Sequence, residues 1–198
     1  DNDYASVGLS MESGGERVRR LGESVRIINA LFRGESVTVS GSHYSISGAT
    51  LFPTPLRRLP MLLAASGKRA IELAGEQANI VAMGAHSGSQ LSEHVEWLKA
   101  GAGERFSSIE LSMLFQVLPE GNEQIRQATE QIIKRVYRGQ TLESLIAAKA
   151  PNLLMGSPEA MAEQLIERRA TFGLSYIAVG PFAMEAFAPV VKRLSGQL

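Results

Sequence analysis

Pro60-Met61-Leu62-Leu63-Ala64-Ala65-Ser66-Gly67, a helical stretch to about Ala78, and then Asn79-Ile80-Val81-Ala82-Met83 are the residues that decide the fold. Met61–Ala65 and Ile80–Met83 are apolar at every position, as strands buried on both faces of a parallel sheet must be. Each is short, and a helix of ten or so residues lies between them, which is the pattern of a β-α unit. Working outward, the pattern recurs. A helix is expected from about Leu91 to Ala102, a third strand over Glu110–Val117, and helices over about 122–137 and 141–149. A further helix opens at Ser157-Pro158 and closes at Gly173, with Ser157 as N-cap, Pro158 in the first turn and Gly173 in the left-handed position after the last turn. A fourth strand follows over Leu174–Val179, and a last helix over about 184–195.

Before the deciding stretch, residues 1–15 are rich in Gly, Ser and Asp and read as loop. Val18, Leu21, Val25, Ile28 and Leu31 recur at helical spacing from Glu16 to Phe32, and Gly34 supplies the stop. Period-two alternation in Ser36–Val39 and Tyr44–Ser47, on either side of a Ser-Gly-Ser turn, predicts a hairpin. Pro53, Pro55 and Pro60 make the following segment an extended connection. No boundary divides the chain, which reads as one α/β unit.

Four parallel strands fit two architectures. One is part of a (β/α)8 barrel, which in full needs about 250 residues. The other is an open doubly wound sheet, including a small phosphate-binding one whose first and last strands are edges. The chain has 198 residues, 44% hydrophobic and 20% charged, enough for one sizeable core. It begins at Asp1 rather than Met, so a processed chain or a fragment is expected.

Composition also excludes functions. Twenty basic and twenty acidic side chains cancel, so no surplus of cations is available for a nucleic-acid footprint. Arg17, Arg19 and Arg20, flanked by Glu16 and Glu23, read as a solvated helix face. The absence of Cys removes disulfides, thiolate catalysis and Cys-type zinc sites. No apolar run approaches the roughly 20 residues of a membrane span, and no signal-peptide pattern is present, so a cytoplasmic protein is expected. Neither a Gly-x-Ser-x-Gly elbow nor a Gly-x-Gly-x-x-Gly fingerprint occurs, which argues against a Ser hydrolase and an NAD-type dinucleotide fold.

Ser66-Gly67-Lys68-Arg69 sits where an apolar strand gives way to a helix. Free backbone N–H groups and the positive end of the helix dipole make such a turn an anion site, with Gly67 allowing close approach and Lys68 or Arg69 adding charge. The plain alternative is Ser66 as an N-cap. Met83-Gly84-Ala85 follows the next strand at the same end of the sheet, and His86 follows it as a solvated loop residue. His43 and His94 have no Asp or Glu at metal-ligand spacing, and no metal is expected. Gly156-Ser157-Pro158-Glu159 reads as a cap, because Pro158 removes one N–H and Glu159 repels an anion. Phe182, after Val179-Gly180-Pro181, is placed on the substrate side.

The ordered series Asp3-Tyr4, Arg17 and Glu23, Leu31–Glu35, Gly41–Tyr44, Phe52–Pro55, Pro60–Gly67, Ala78–Val81, Met155–Glu159 and Met184–Val191 resembles the bacterial luciferase-like monooxygenase superfamily, above all its deazaflavin-dependent branch. The resemblance covers almost the whole chain. It implies a partial (β/α)8 TIM barrel, with the four strands as barrel strands five to eight, the hairpin as the family's insertion before the fifth, and strands one to four absent. It also implies an oxidoreductase using coenzyme F(420), a deazaflavin, or secondarily FMN, for hydride transfer with, or oxygenation of, a small organic substrate. A non-catalytic flavin- or phosphate-binding relative is the alternative. The matching turns imply cofactor contacts at Ala65, Ser66, Gly67, Lys68, Met83, Gly84 and Ala85. Acid/base residues of that branch come mostly from the early strands, so no catalytic residue is assigned. Half a barrel exposes strand edges, which implies a homo-oligomer such as a dimer, or association with the missing half.

Overall fold

The computed structural model describes residues 2–84, 87–136 and 139–196. The first half comprises α1 (Asn2–Ser6), α2 (Gly14–Phe32), β1 (Val37–Ser40), β2 (Ser45–Ala49), β3 (Leu62–Ala65), α3 (Lys68–Gln77) and β4 (Ile80–Met83). The second comprises α4 (Gly88–Ala102), β5 (Glu110–Pro119), α5 (Glu123–Val136), α6 (Leu142–Ala147), β6 (Leu153–Gly156), α7 (Pro158–Phe172), β7 (Leu174–Val179) and α8 (Met184–Leu194).

Strands β3, β4, β5 and β7 lie side by side and parallel, with Leu62 opposite Ile80, Ile80 opposite Glu110, and Ser112 opposite Tyr176. These are the four strands expected from sequence. Alternate residues point to opposite faces. Leu63, Ala65, Val81, Met83, Leu111, Met113 and Phe115 enter one core with Ile71 and Ala74 of α3, Leu91 and Leu98 of α4, Met161 and Leu165 of α7, and Val190 of α8. The intervening residues form the other face, where Leu62, Leu114 and Tyr176 remain 45%, 53% and 47% exposed. A doubly wound sheet carries helices on both faces. Here one face is helical and the other bare, and the strands run in sequence without reversal, which decides for an unclosed (β/α)8 barrel.

Two expectations need correction. Residues 2–6 form the short α1 rather than loop. A fifth parallel strand, β6, pairs with the upper end of β5, Gln116 to Pro119. This corner has its own small core of Leu118, Ile133, Leu142, Leu145 and Leu153. The outer edge of β6 would leave backbone groups open, and α7 closes it. The Gln164 side chain accepts from Met155 N–H at 3.2 Å and donates to Met155 O at 2.7 Å, while Arg168 Nη2 donates to Leu153 O at 2.6 Å. Two side chains one helical turn apart thus stand in for a neighbouring strand.

Three local devices hold the frame. Helices α3 and α4 touch backbone to backbone at glycines: a Cβ on Gly101 would lie 2.1 Å from Glu72 O. Arg105 donates to Gly75 O, Glu76 O and Ala78 O at 2.5–2.8 Å, satisfying carbonyls that the end of α3 leaves open. The β1–β2 hairpin is tied to α2 by Glu23, whose carboxylate accepts from the N–H groups of Ser42, His43 and Tyr44 at 2.9–3.2 Å. The expected caps of α7 are present, with the Ser157 side chain accepting from Ala160 N–H and Gly173 left-handed at φ 78°.

Candidate functional site

At the C-terminal ends of the strands, where barrel ligands sit, a cleft of ≈ 460 Å³ opens. Ser66 and Gly67 after β3, and Met83 and Gly84 at the end of β4, all line it. The Ser66 reading as a plain cap is not what the backbone adopts. Gly67 is the N-cap residue of α3, at φ 83°, and no side chain caps the helix. The first turns of α4, α6 and α7, by contrast, are each capped by a Ser or Thr hydroxyl. A Cβ on Gly67 or Gly84 would meet nothing within 4 Å, so both turns face open space.

Charge around α3 runs against the helix dipole. Its first turn holds Lys68 and Arg69 and no acidic residue, although cations are disfavoured at a helix N-terminus. Lys68 reaches Glu72 at only 3.9 Å and keeps 63% of its side chain exposed. An anion resting on the α3 amides would resolve this conflict. The remaining predicted contacts are placed differently. Ala65 turns its methyl into the helical core, leaving only its backbone near the turn. Ala85 and His86 lie outside the described residues.

The opposite wall was not foreseen from sequence. Gln90, Glu93, His94 and Trp97 of α4, with Met113, Leu114 and Asn152, complete the cleft. His94 is 5% exposed, its ring centroid lies 5.2 Å from that of Trp97, and its buried Nδ1 has no hydrogen-bond partner. The available signal was helical phase, since His94 shares a face with Leu91 and Leu98. The cleft therefore combines the uncapped turn at Ser66 and Gly67 at one end with Met83, Met113, Leu114 and Trp97 along its length, while Lys68 and Arg69 stand outside its lining. That suits a molecule with a phosphate at one end and a flat ring at the other.

Elsewhere, Phe182 folds its ring back over Gly180, where a Cβ would lie 2.6 Å from Cε1, and packs on the core rather than this cleft. His43 Nε2 lies 2.9 Å from Glu16 Oε1 in an ion-pair position. Arg19 pairs with Glu16 and Arg20 with Glu12, and Arg17 is exposed, as a solvated helix face requires. Among the described residues no group of three His, Asp or Glu side chains could hold a metal, and no helix is long and apolar enough to cross a membrane.

The sequence matches the luciferase-like monooxygenase family over residues 2–175. The chain belongs to that family. A stretch of 73 residues is 41% identical to an F420-dependent glucose-6-phosphate dehydrogenase of Microbacterium testaceum, covering 37% of this chain and 22% of that protein. Among solved structures, an F420-dependent secondary alcohol dehydrogenase in complex with an F420-acetone adduct superimposes with a TM-score of 0.71 at 17% identity, over 91% of this chain and 64% of that one. A long-chain alkane monooxygenase does so with a TM-score of 0.71 at 13% identity, over 98% of this chain and 59% of that one. At such identities the likeness establishes the fold. This chain spans less than two thirds of the length of each of these relatives.

Proposed function

We propose that this chain forms the cofactor-phosphate side of a barrel oxidoreductase that uses coenzyme F(420), with FMN as the second candidate. The observation that carries this is the uncapped, cation-bearing N-terminus of α3, which opens beside the Gly84 turn into one cleft. In this reading the backbone at Ala65, Ser66 and Gly67 and the turn Met83-Gly84-Ala85 hold the cofactor's phosphate. Lys68 adds charge from solvent, and the apolar wall around Met113 and Trp97 keeps water off the ring. When bound, the deazaflavin ring would supply hydride transfer to or from a small organic substrate, whereas FMN in its place would also allow oxygenation of one. Positioning and electrostatic tuning are the protein's share. Residues 1–198 act as one domain in the cytoplasm, and the bare face bearing Leu62, Leu114 and Tyr176 is closed by strands one to four of a barrel, supplied by further sequence or a partner chain. The F420-dependence of the glucose-6-phosphate dehydrogenases that match part of this chain supports the choice of cofactor.

Gly84→Asp tests the site directly, because the new carboxylate would enter open space facing the phosphate without steric cost. Fluorescence titration should show coenzyme F(420) binding the unaltered chain and weakening about tenfold or more in the variant, each factor of ten being about 1.4 kcal/mol. Equal affinity in both proteins would remove the phosphate assignment. Binding without redox turnover, when the complementary half is supplied, would identify a non-catalytic relative.

A further inference from the structure

A second cleft, of ≈ 430 Å³, lies between α7, β6 and the end of α6 and shares no lining residue with the first. Its polar side is built on Arg168. One arm of the guanidinium is spent on Leu153 O, and its Cζ lies 5.8 Å from the Phe115 ring centroid. The other arm, Nη1, is buried and has no hydrogen-bond partner. Among the described residues no carboxylate lies within 4.0 Å of Arg168. Glu167 favours its charge only through space, while burial pushes its pKa down. Arg168 is half-buried, and a cation with one buried, unused donor is short of an acceptor.

The rest of the cleft says what that acceptor is attached to. Lys149 lines it from the short connection before β6, at φ 46°, the left-handed position that ends α6 with Ala150 N–H donating to Leu145 O at 2.9 Å. Ile146, Met155 and Phe172 supply an apolar wall. The volume falls within the range of small-molecule sites. Glu167 at the same cleft disfavours a doubly charged phosphate more than a singly charged group. A guanidinium and an ammonium lining one cleft suit a carboxylate.

We propose that this cleft binds a small carboxylate with an apolar body, its oxygens on Arg168 Nη1 and Lys149 and its body against Ile146, Met155 and Phe172. The site is independent of the cofactor reading, and an occupant would sit on the far side of β6 from its strand partner β5.

Benzoate is the probe, titrated into the full chain and followed by amide NMR shifts. Saturable shifts are expected around Ile146–Leu153 and Thr171–Phe172, with a Kd on the order of millimolar for so small a ligand. Benzamide, which lacks the charge, should bind roughly tenfold more weakly, and Lys149→Gln should weaken benzoate several-fold. Arg168→Gln should abolish saturation. Because that variant also loses the Leu153 anchor, the exposed Lys149→Gln keeps the test open if Arg168→Gln does not fold. Equal binding of benzoate and benzamide, unchanged affinity in Lys149→Gln, shifts confined to the Ser66–Gly67 cleft, or no saturation at all would each overturn the proposal.

Discussion

Replacing Gln164 by Leu removes the surrogate strand edge of β6 while keeping side-chain volume nearly constant. The amide of Gln164 makes two hydrogen bonds to one residue, accepting from Met155 N–H at 3.2 Å and donating to Met155 O at 2.7 Å. Both partners are backbone groups, so neither can turn away to find another. Leaving a buried donor or acceptor open costs about 1–3 kcal/mol each. Met155 and Gln164 are half-buried rather than sealed, so water recovers part of this, and the lower half of the range applies. The expected loss is roughly 2–4 kcal/mol, which for a domain of this size corresponds to a fall in Tm of about 4–16 °C. Urea unfolding followed by circular dichroism measures it, with amide exchange at Met155 as the local readout. Exchange there should accelerate in the variant, while Glu163→Leu on the exposed face of the same helix should stay within about 0.5 kcal/mol of the unaltered protein. A Gln164→Leu protein that unfolds at the same urea concentration, with Met155 still protected, would refute the edge-closing role.

Two further perturbations test the frame. Gly101→Ala should destabilise by about 2 kcal/mol or more, measured as a urea midpoint shift: the gain in helix propensity is about 1 kcal/mol, but the new Cβ would lie 2.1 Å from Glu72 O and 2.6 Å from Glu72 Cα, and only backbone movement relieves that contact. The Glu23 carboxyl is held below its ordinary pKa of 4.5 chiefly by the His43 N–H, with those of Ser42 and Tyr44 adding to it. Because the folded pKa is lowered, its contribution is present above the unfolded value and lost as pH falls through the folded one. Hairpin amide protection should therefore drop in acid below about pH 4.5, and Glu23→Gln should show the weakened hairpin already at neutral pH, with that part of the pH dependence gone.

The strands β3, β4, β5 and β7, the hairpin, and the caps at Ser157, Pro158 and Gly173 were legible because each depends on neighbours in sequence: apolar runs, period-two alternation and backbone preferences of single residues. So was the Ser66-Gly67 turn, though not its geometry. Sequence allows the Ser66 hydroxyl to cap α3, and only the φ of 83° at Gly67 moves the helix start and leaves the amides open. Strand β6 was missed since its four residues carry no alternation of their own; it exists through β5 on one edge and Gln164 and Arg168 on the other. His94 and Trp97 joined the cleft for the same reason, being brought to Met113 and Asn152 by the packing of α4. Sequence alone thus determined most strands and helices, α1 and β6 excepted, and marked the Ser66-Gly67 turn as the candidate phosphate site. The tertiary structure decided that one face of the sheet stays bare, that β6 has an edge to close, and that Arg168 Nη1 is buried without a partner, because each of these depends on how groups far apart in the chain are brought together.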